Sequence, residues 1–124
     1  MNAERYNTAV SLAGGHLRLR HPKPVLMDEV SRMRMSVGIY FGCSIDGRLD
    51  YVGSVARPED PKACWSRMRE HKSQKGKLWP WLWVLPLKDT TPKWIVRAIE
   101  GQLIDLFQPP GNEKHHPPRF IPFS

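Results

Sequence analysis

Tyr40 and Tyr51 each sit in a short, glycine-flanked apolar run, Val37-Gly38-Ile39-Tyr40-Phe41-Gly42 and Leu49-Asp50-Tyr51-Val52-Gly53-Ser54. Between the runs lies Asp46-Gly47, a strong short signal for a β-hairpin turn. Read as a two-residue turn, it sets Ile45 opposite Arg48, Gly42 opposite Tyr51 and Tyr40 opposite Gly53. Side chains alternate along a strand, so Gly38, Tyr40, Gly42, Tyr51 and Gly53 share one face. A four-residue loop keeps that register; a three-residue bulged loop shifts it. Glycine inside a strand often marks close approach by a ligand or another backbone. Two phenols on so bare a face leave room for something bulky to reach both hydroxyls. Tyrosine is also an ordinary strand residue, so the hairpin alone does not separate a site from a plain sheet.

Other residues with usable chemistry lie on two expected helices. Asp60-Pro61 offers an N-cap with proline at the first helical position, and the helix is expected to run to about Ser73. Its apolar stripe is Cys64, Trp65 and Met68, and Arg67 and His71 stand one turn apart at the stripe's edge. Thr91-Pro92 repeats the cap signal before a helix to about Phe107, with Ile95, Ala98, Ile99, Leu103 and Leu106 as its buried stripe. Glu100 falls on the border of that stripe, where a carboxylate can be held rigidly with one side open. The plainer alternative is a solvated helix-face glutamate.

Between the helices, Trp79, Trp81, Trp83, Leu85 and Leu87 alternate with Pro80, Leu82, Val84 and Pro86. This reads as a third strand, and its two prolines suggest a sheet edge. The tryptophans suit packing better than base stacking. Residues 1–35 read as a basic N-terminal extension, broken at Gly14-Gly15 and at Pro22 and Pro24. Within it, His16-Leu17-Arg18-Leu19-Arg20-His21 is either a strand laid along the domain or a basic arm for phosphates. Residues 36–115 form the expected domain, and 116–124 a proline-rich tail. The His115-His116 pair suggests either a metal or, more simply, a mobile tail.

The chain of 124 residues suits one modest core. Its formal net charge of +7 favours a polyanionic partner, nucleic acid first and an anionic membrane surface second. Cys43 and Cys64 give neither a disulfide framework nor zinc spacing, which suggests a reducing, cytoplasmic setting. No stretch resembles a signal peptide. The most apolar one, Leu78 to Leu87, is too short and too broken by proline to span a membrane.

Together, Gly38-Ile39-Tyr40 and Tyr51-Val52-Gly53 resemble the defining signature of the GIY-YIG nuclease superfamily. Arg67 and His71 on the first helix, Glu100 on the later one and Asn112 after a proline-containing turn match that family's catalytic set in order and type. The resemblance covers about residues 36 to 115. It implies an α+β fold: a three-stranded, mainly antiparallel sheet in the order β-hairpin, helix, strand, helix, flanked by helices. The second motif reads Tyr-Val-Gly rather than Tyr-Ile-Gly. The family's arginine usually lies closer behind the second tyrosine; Arg57 is nearer but precedes the helix cap, and Arg67 is preferred because it brings His71 with it.

The activity implied is phosphodiester hydrolysis in nucleic acid with one divalent ion, Mg²⁺ or Mn²⁺; DNA is favoured as the substrate, with RNA left open. The resemblance gives Glu100 as its ligand, Arg67 as the phosphate stabiliser, Tyr40 as general base with His71 accepting its proton, Tyr51 as Tyr40's support and Asn112 as an anchor for loop or phosphate. Arg57, Lys72, Lys75, Lys77, Arg18 and Arg20 are the candidate nucleic-acid contacts. A GIY-YIG-like module that grips nucleic acid without cutting is the alternative, and a different small hydrolase a third. Helix-turn-helix, zinc-finger and zipper signals are absent, so specificity is either weak or supplied by a dimer or a partner protein.

Overall fold

A computed structural model describes residues 1–76 and 78–115, without the side chains of Lys75 and 113–115. Lys77, the tail 116–124 and the side chains of Lys75 and His115 therefore lie outside the described part.

The hairpin consists of β2 (Val37–Cys43) and β3 (Leu49–Ala56), paired antiparallel. Its turn is not the two-residue form. Ser44 N–H donates to the Arg48 carbonyl at 2.9 Å and Gly47 N–H to the Ser44 carbonyl at 2.9 Å, with Gly47 at φ 85°. Ser44 rather than Ile45 thus faces Arg48, because Ile45, Asp46 and left-handed Gly47 make the loop. A bulge then restores the expected register. Cys43 pairs with Leu49 but Gly42 pairs with Tyr51, so Asp50 is the extra residue. Tyr40 still faces Gly53.

β4 (Trp81–Pro86) pairs with the other side of β2, and the two-residue β1 (Val25–Leu26) pairs with β4. The fold is α+β, with a four-stranded antiparallel open sheet in the order β1-β4-β2-β3. The sheet has four strands, not three, and β4 is interior, not an edge. Pro80 and Pro86 are tolerated because they fall at the strand's ends. Beyond β1, the His16–His21 segment continues along β4, through a Leu17–Leu87 bridge and a 2.9 Å bond from Arg18 N–H to the Pro86 carbonyl.

Both faces of the sheet are covered. On one lie α1 (Ala3–Ala13) and α3 (Lys93–Phe107), whose Tyr6, Ala9, Val96 and Leu103 pack with Ile39 and Phe41. On the other lies α2 (Ala63–Lys75), with Cys64 and Met68 packed near Tyr40 and Val84. Residues 1–35 are therefore not an appendage in packing. Tyr6 is fully buried and donates its hydroxyl to the Val84 carbonyl at 2.8 Å, while Val30 and Met35 enter the α2-side core. Their apolar positions were hidden by the Gly and Pro breaks between them.

α2 begins at Ala63 because the Asp60 carboxylate is used just before it, accepting from Lys62 N–H at 2.9 Å and Ser66 Oγ at 3.2 Å. It ends at Gly76 in the left-handed region. α3 buries Val96, Ile99, Leu103 and Ile104, while Ala98 and Leu106 are exposed. Its expected stripe is rotated because the helix carries apolar residues on nearly every side, so periodicity alone does not choose a face. Among the described residues no helix is long and apolar enough to cross a membrane.

Candidate active site

Tyr40 is completely buried and Tyr51 nearly so. Their rings stack at 6.2 Å between centroids, and Tyr51 stacks in turn on Trp79 at 5.0 Å. His71 comes down from α2 and meets all three rings edge-on, at 5.2 to 5.8 Å. The glycines serve this packing. A Cβ at Gly53 would fall on the Tyr40 ring and hydroxyl, one at Gly42 on the Trp79 ring, and one at Gly38 within 2.7 Å of Met35 Sδ and the Leu85 carbonyl. The face expected to be bare is filled from within; close approach there is by the protein's own rings. Trp79 is held in place by donating Nε1–H to the Asp50 carboxylate at 2.8 Å, so the bulge residue has a part in the site.

The Tyr40 hydroxyl lies 2.7 Å from His71 Nε2. Burial pushes the Tyr40 phenol far above its ordinary range; Tyr51 and Glu100 add to this and Arg67 opposes it. Burial and Glu100 raise Tyr51 in the same way, again against Arg67. Both phenols therefore keep their protons at neutral pH. Arg67 does not make a standing phenolate, because loss of water around the ring outweighs its charge.

A cleft of about 610 Å³ opens beside these rings, along β3 at the edge of the sheet. Tyr40 and Tyr51 line it from the sheet, Arg67 from α2, and Glu100 from α3, with Arg57 and Asn112 also in its wall. His71 stands behind Tyr40 and is not part of the lining. Glu100 is fixed by accepting the Ser54 hydroxyl at Oε1, 2.6 Å away. Ser54 lies on the opposite face of β3 from Tyr51 and so turns towards α3. Asn112 is buried and uses both ends of its amide on Val52: Oδ1 accepts Val52 N–H at 2.7 Å and Nδ2 donates to the Val52 carbonyl at 2.9 Å. It anchors its loop to the strand edge.

Arg57 and Arg67 meet at Glu70. Arg57 donates to it at 2.7 and 2.9 Å and Arg67 at 3.2 Å. Hydrogen bonds from Arg57 foremost hold the Glu70 carboxyl down at about 2.

Several candidate contacts lie elsewhere. Arg18 donates to the Arg34 carbonyl and Arg20 to Asn7, and neither lines the cleft. Lys72 borders a separate groove on α2 with Trp65 and Leu78. Lys93 and Arg97 line the cleft instead. Once Glu100 is singled out, their spacing before it on one helix face was the available signal. Ser54 and Trp79 had no comparable signal, since each gains its role from a chain segment distant in sequence; Glu70 stands i+3 from Arg67, but its bond to Arg57 was not legible.

Among the described residues no three His, Cys, Asp or Glu side chains are grouped as metal ligands. Among the described residues Glu100 is the one that offers a carboxylate to the cleft, which fits an ion that binds through one or two carboxylates, substrate phosphates and water. No protein-family model matches the chain, and neither does a curated protein or a solved structure.

Proposed function

We propose that the protein is a GIY-YIG-type endonuclease that hydrolyses phosphodiester bonds in nucleic acid, with DNA as the favoured substrate and Mg²⁺ or Mn²⁺ as cofactor. One observation carries the reading. Tyr40, Tyr51, Arg67 and Glu100, from four different elements, line one cleft, with His71 bonded to Tyr40 behind it.

Glu100 would hold the ion, which supplies charge stabilisation to the phosphate and the leaving oxygen. Ser54 fixes the carboxylate's orientation. Since Tyr40 keeps its proton, it acts as a relay. As its oxygen takes a proton from the attacking water, its own proton passes to His71 Nε2. The histidine ends as imidazolium and the phenol is regenerated, so no free phenolate forms. This requires Nε2 to be unprotonated at the start. Tyr51, stacked between Tyr40 and Trp79, fixes the relay. Arg67 donates to phosphate oxygens as their charge grows. Lys93 and Arg97 hold neighbouring phosphates, in keeping with a chain of net charge +7. Cys43 and Cys64 are buried as free thiols, in keeping with a reducing, cytoplasmic setting.

The test is nicking of supercoiled plasmid with Mg²⁺, Mn²⁺ or EDTA, beside Glu100→Ala and Tyr40→Phe. The wild type is expected to nick only with metal, Glu100→Ala to be inactive, and Tyr40→Phe to lose roughly 10²- to 10⁴-fold. Nicking that survives both substitutions refutes the site. Tight binding without cutting in either metal identifies a non-cleaving nucleic-acid module instead.

A further inference from the structure

The two arginines at the cleft are not used alike. Arg57 gives both terminal nitrogens to Glu70, Nη1 to Oε2 at 2.7 Å and Nη2 to Oε1 at 2.9 Å. Arg67 gives Glu70 only Nη1, at 3.2 Å. A guanidinium has five N–H donors in a rigid fork. Arg57 commits one bidentate edge to a carboxylate of this protein. Arg67, whose described hydrogen bonds stop at that one, keeps its Nε–Nη2 edge for the bidentate grip that phosphate favours. Arg57 also restrains Glu70 itself: with both carboxylate oxygens engaged by Arg57, Glu70 steadies Arg67 from one side without enclosing it.

We infer that Arg57 and Glu70 are positioning residues, a clamp that fixes the Arg67 guanidinium for phosphate. The inference rests on the nuclease reading of the cleft and adds the division of labour between its arginines.

A double-mutant cycle tests it. Arg57→Ala is expected to lower kcat about tenfold, the coupling usual for neighbours in one network, with KM within about twofold. Placed in an Arg67→Ala background, Arg57→Ala should change nicking by no more than about twofold, because the residue it positions is already gone. Glu70→Gln, which keeps an acceptor oxygen, should retain more activity than Glu70→Ala. Thermal melts establish that each variant is folded.

Losses from Arg57→Ala and Arg67→Ala that multiply, or an Arg57→Ala loss confined to KM, would overturn the clamp and make Arg57 a direct phosphate contact. If the wild type binds a short duplex without nicking it, the same cycle is read on Kd. Equal values for Arg67→Ala and the double variant then uphold the clamp while the nuclease reading falls. A wild type that neither binds nor nicks overturns both.

Discussion

The two faces of β2 are buried to the same degree and built differently. Ile39 and Phe41 on one face, and Tyr40 on the other, are all buried, Tyr40 against the wall of the cleft. Ile39 and Phe41 meet mostly aliphatic side chains of α1 and α3, with Tyr6 among them, and there filling the volume is what matters. Tyr40 meets rings, and its hydroxyl is bonded to a histidine on α2. Glycines on that face make space for Tyr40 and Trp79. The candidate site thus grows out of the second core and reaches solvent only where β3 runs along the cleft. Burial alone does not tell core from site; a directional polar partner next to a cleft does.

The largest effect expected on this contrast comes from emptying the aliphatic face. Phe41→Ala should destabilise the protein by about 3–5 kcal/mol, through lost transfer energy and a cavity. Urea unfolding measures it, and a loss below about 1 kcal/mol would show that this face is not tightly packed.

Gly53→Ala addresses the aromatic face. The added methyl lands on the Tyr40 ring and hydroxyl, so the ring must shift and its bond to His71 is disturbed. The expected cost is roughly 1–3 kcal/mol of stability, with nicking falling further than that fraction unfolded explains. Full activity in a stable Gly53→Ala protein would separate the Tyr40–His71 contact from function.

The smallest effect lies at Glu70, the shared partner of Arg57 and Arg67. The Glu70 carboxyl sits at about 2 in the fold against an ordinary 4.5, so the unfolded chain binds its proton more tightly. Its stabilising contribution is fully present above about 4.5 and is lost as pH falls towards 2. Denaturation followed across that window should be steeper for the wild type than for Glu70→Gln. The difference will be modest, because all three partners are partly exposed and screened by solvent.

Local chemistry accounts for what was legible in the sequence. The pairing of Tyr40 with Gly53 and Gly42 with Tyr51 follows from the alternation of a strand about a glycine turn, though the bulge at Asp50 that preserves it does not. The one-turn spacing of Arg67 and His71 follows from helix geometry, as does the approximate extent of α2 and α3. In each case the interacting residues are close in the chain, so strand and helix periods suffice, although the helices are capped one or two residues later than expected, at Lys62 and Pro92.

Tertiary structure decided the rest. It chose the buried face of α3, inserted β4 between β1 and β2, and took Tyr6 into the core. It also filled the glycine gaps with Tyr40 and Trp79, and joined Arg57 to Arg67 through Glu70. Each of these depends on which distant segment packs opposite a given surface. A sequence records that a space exists at Gly42 or Gly53; only the packing of the folded chain determines what occupies it.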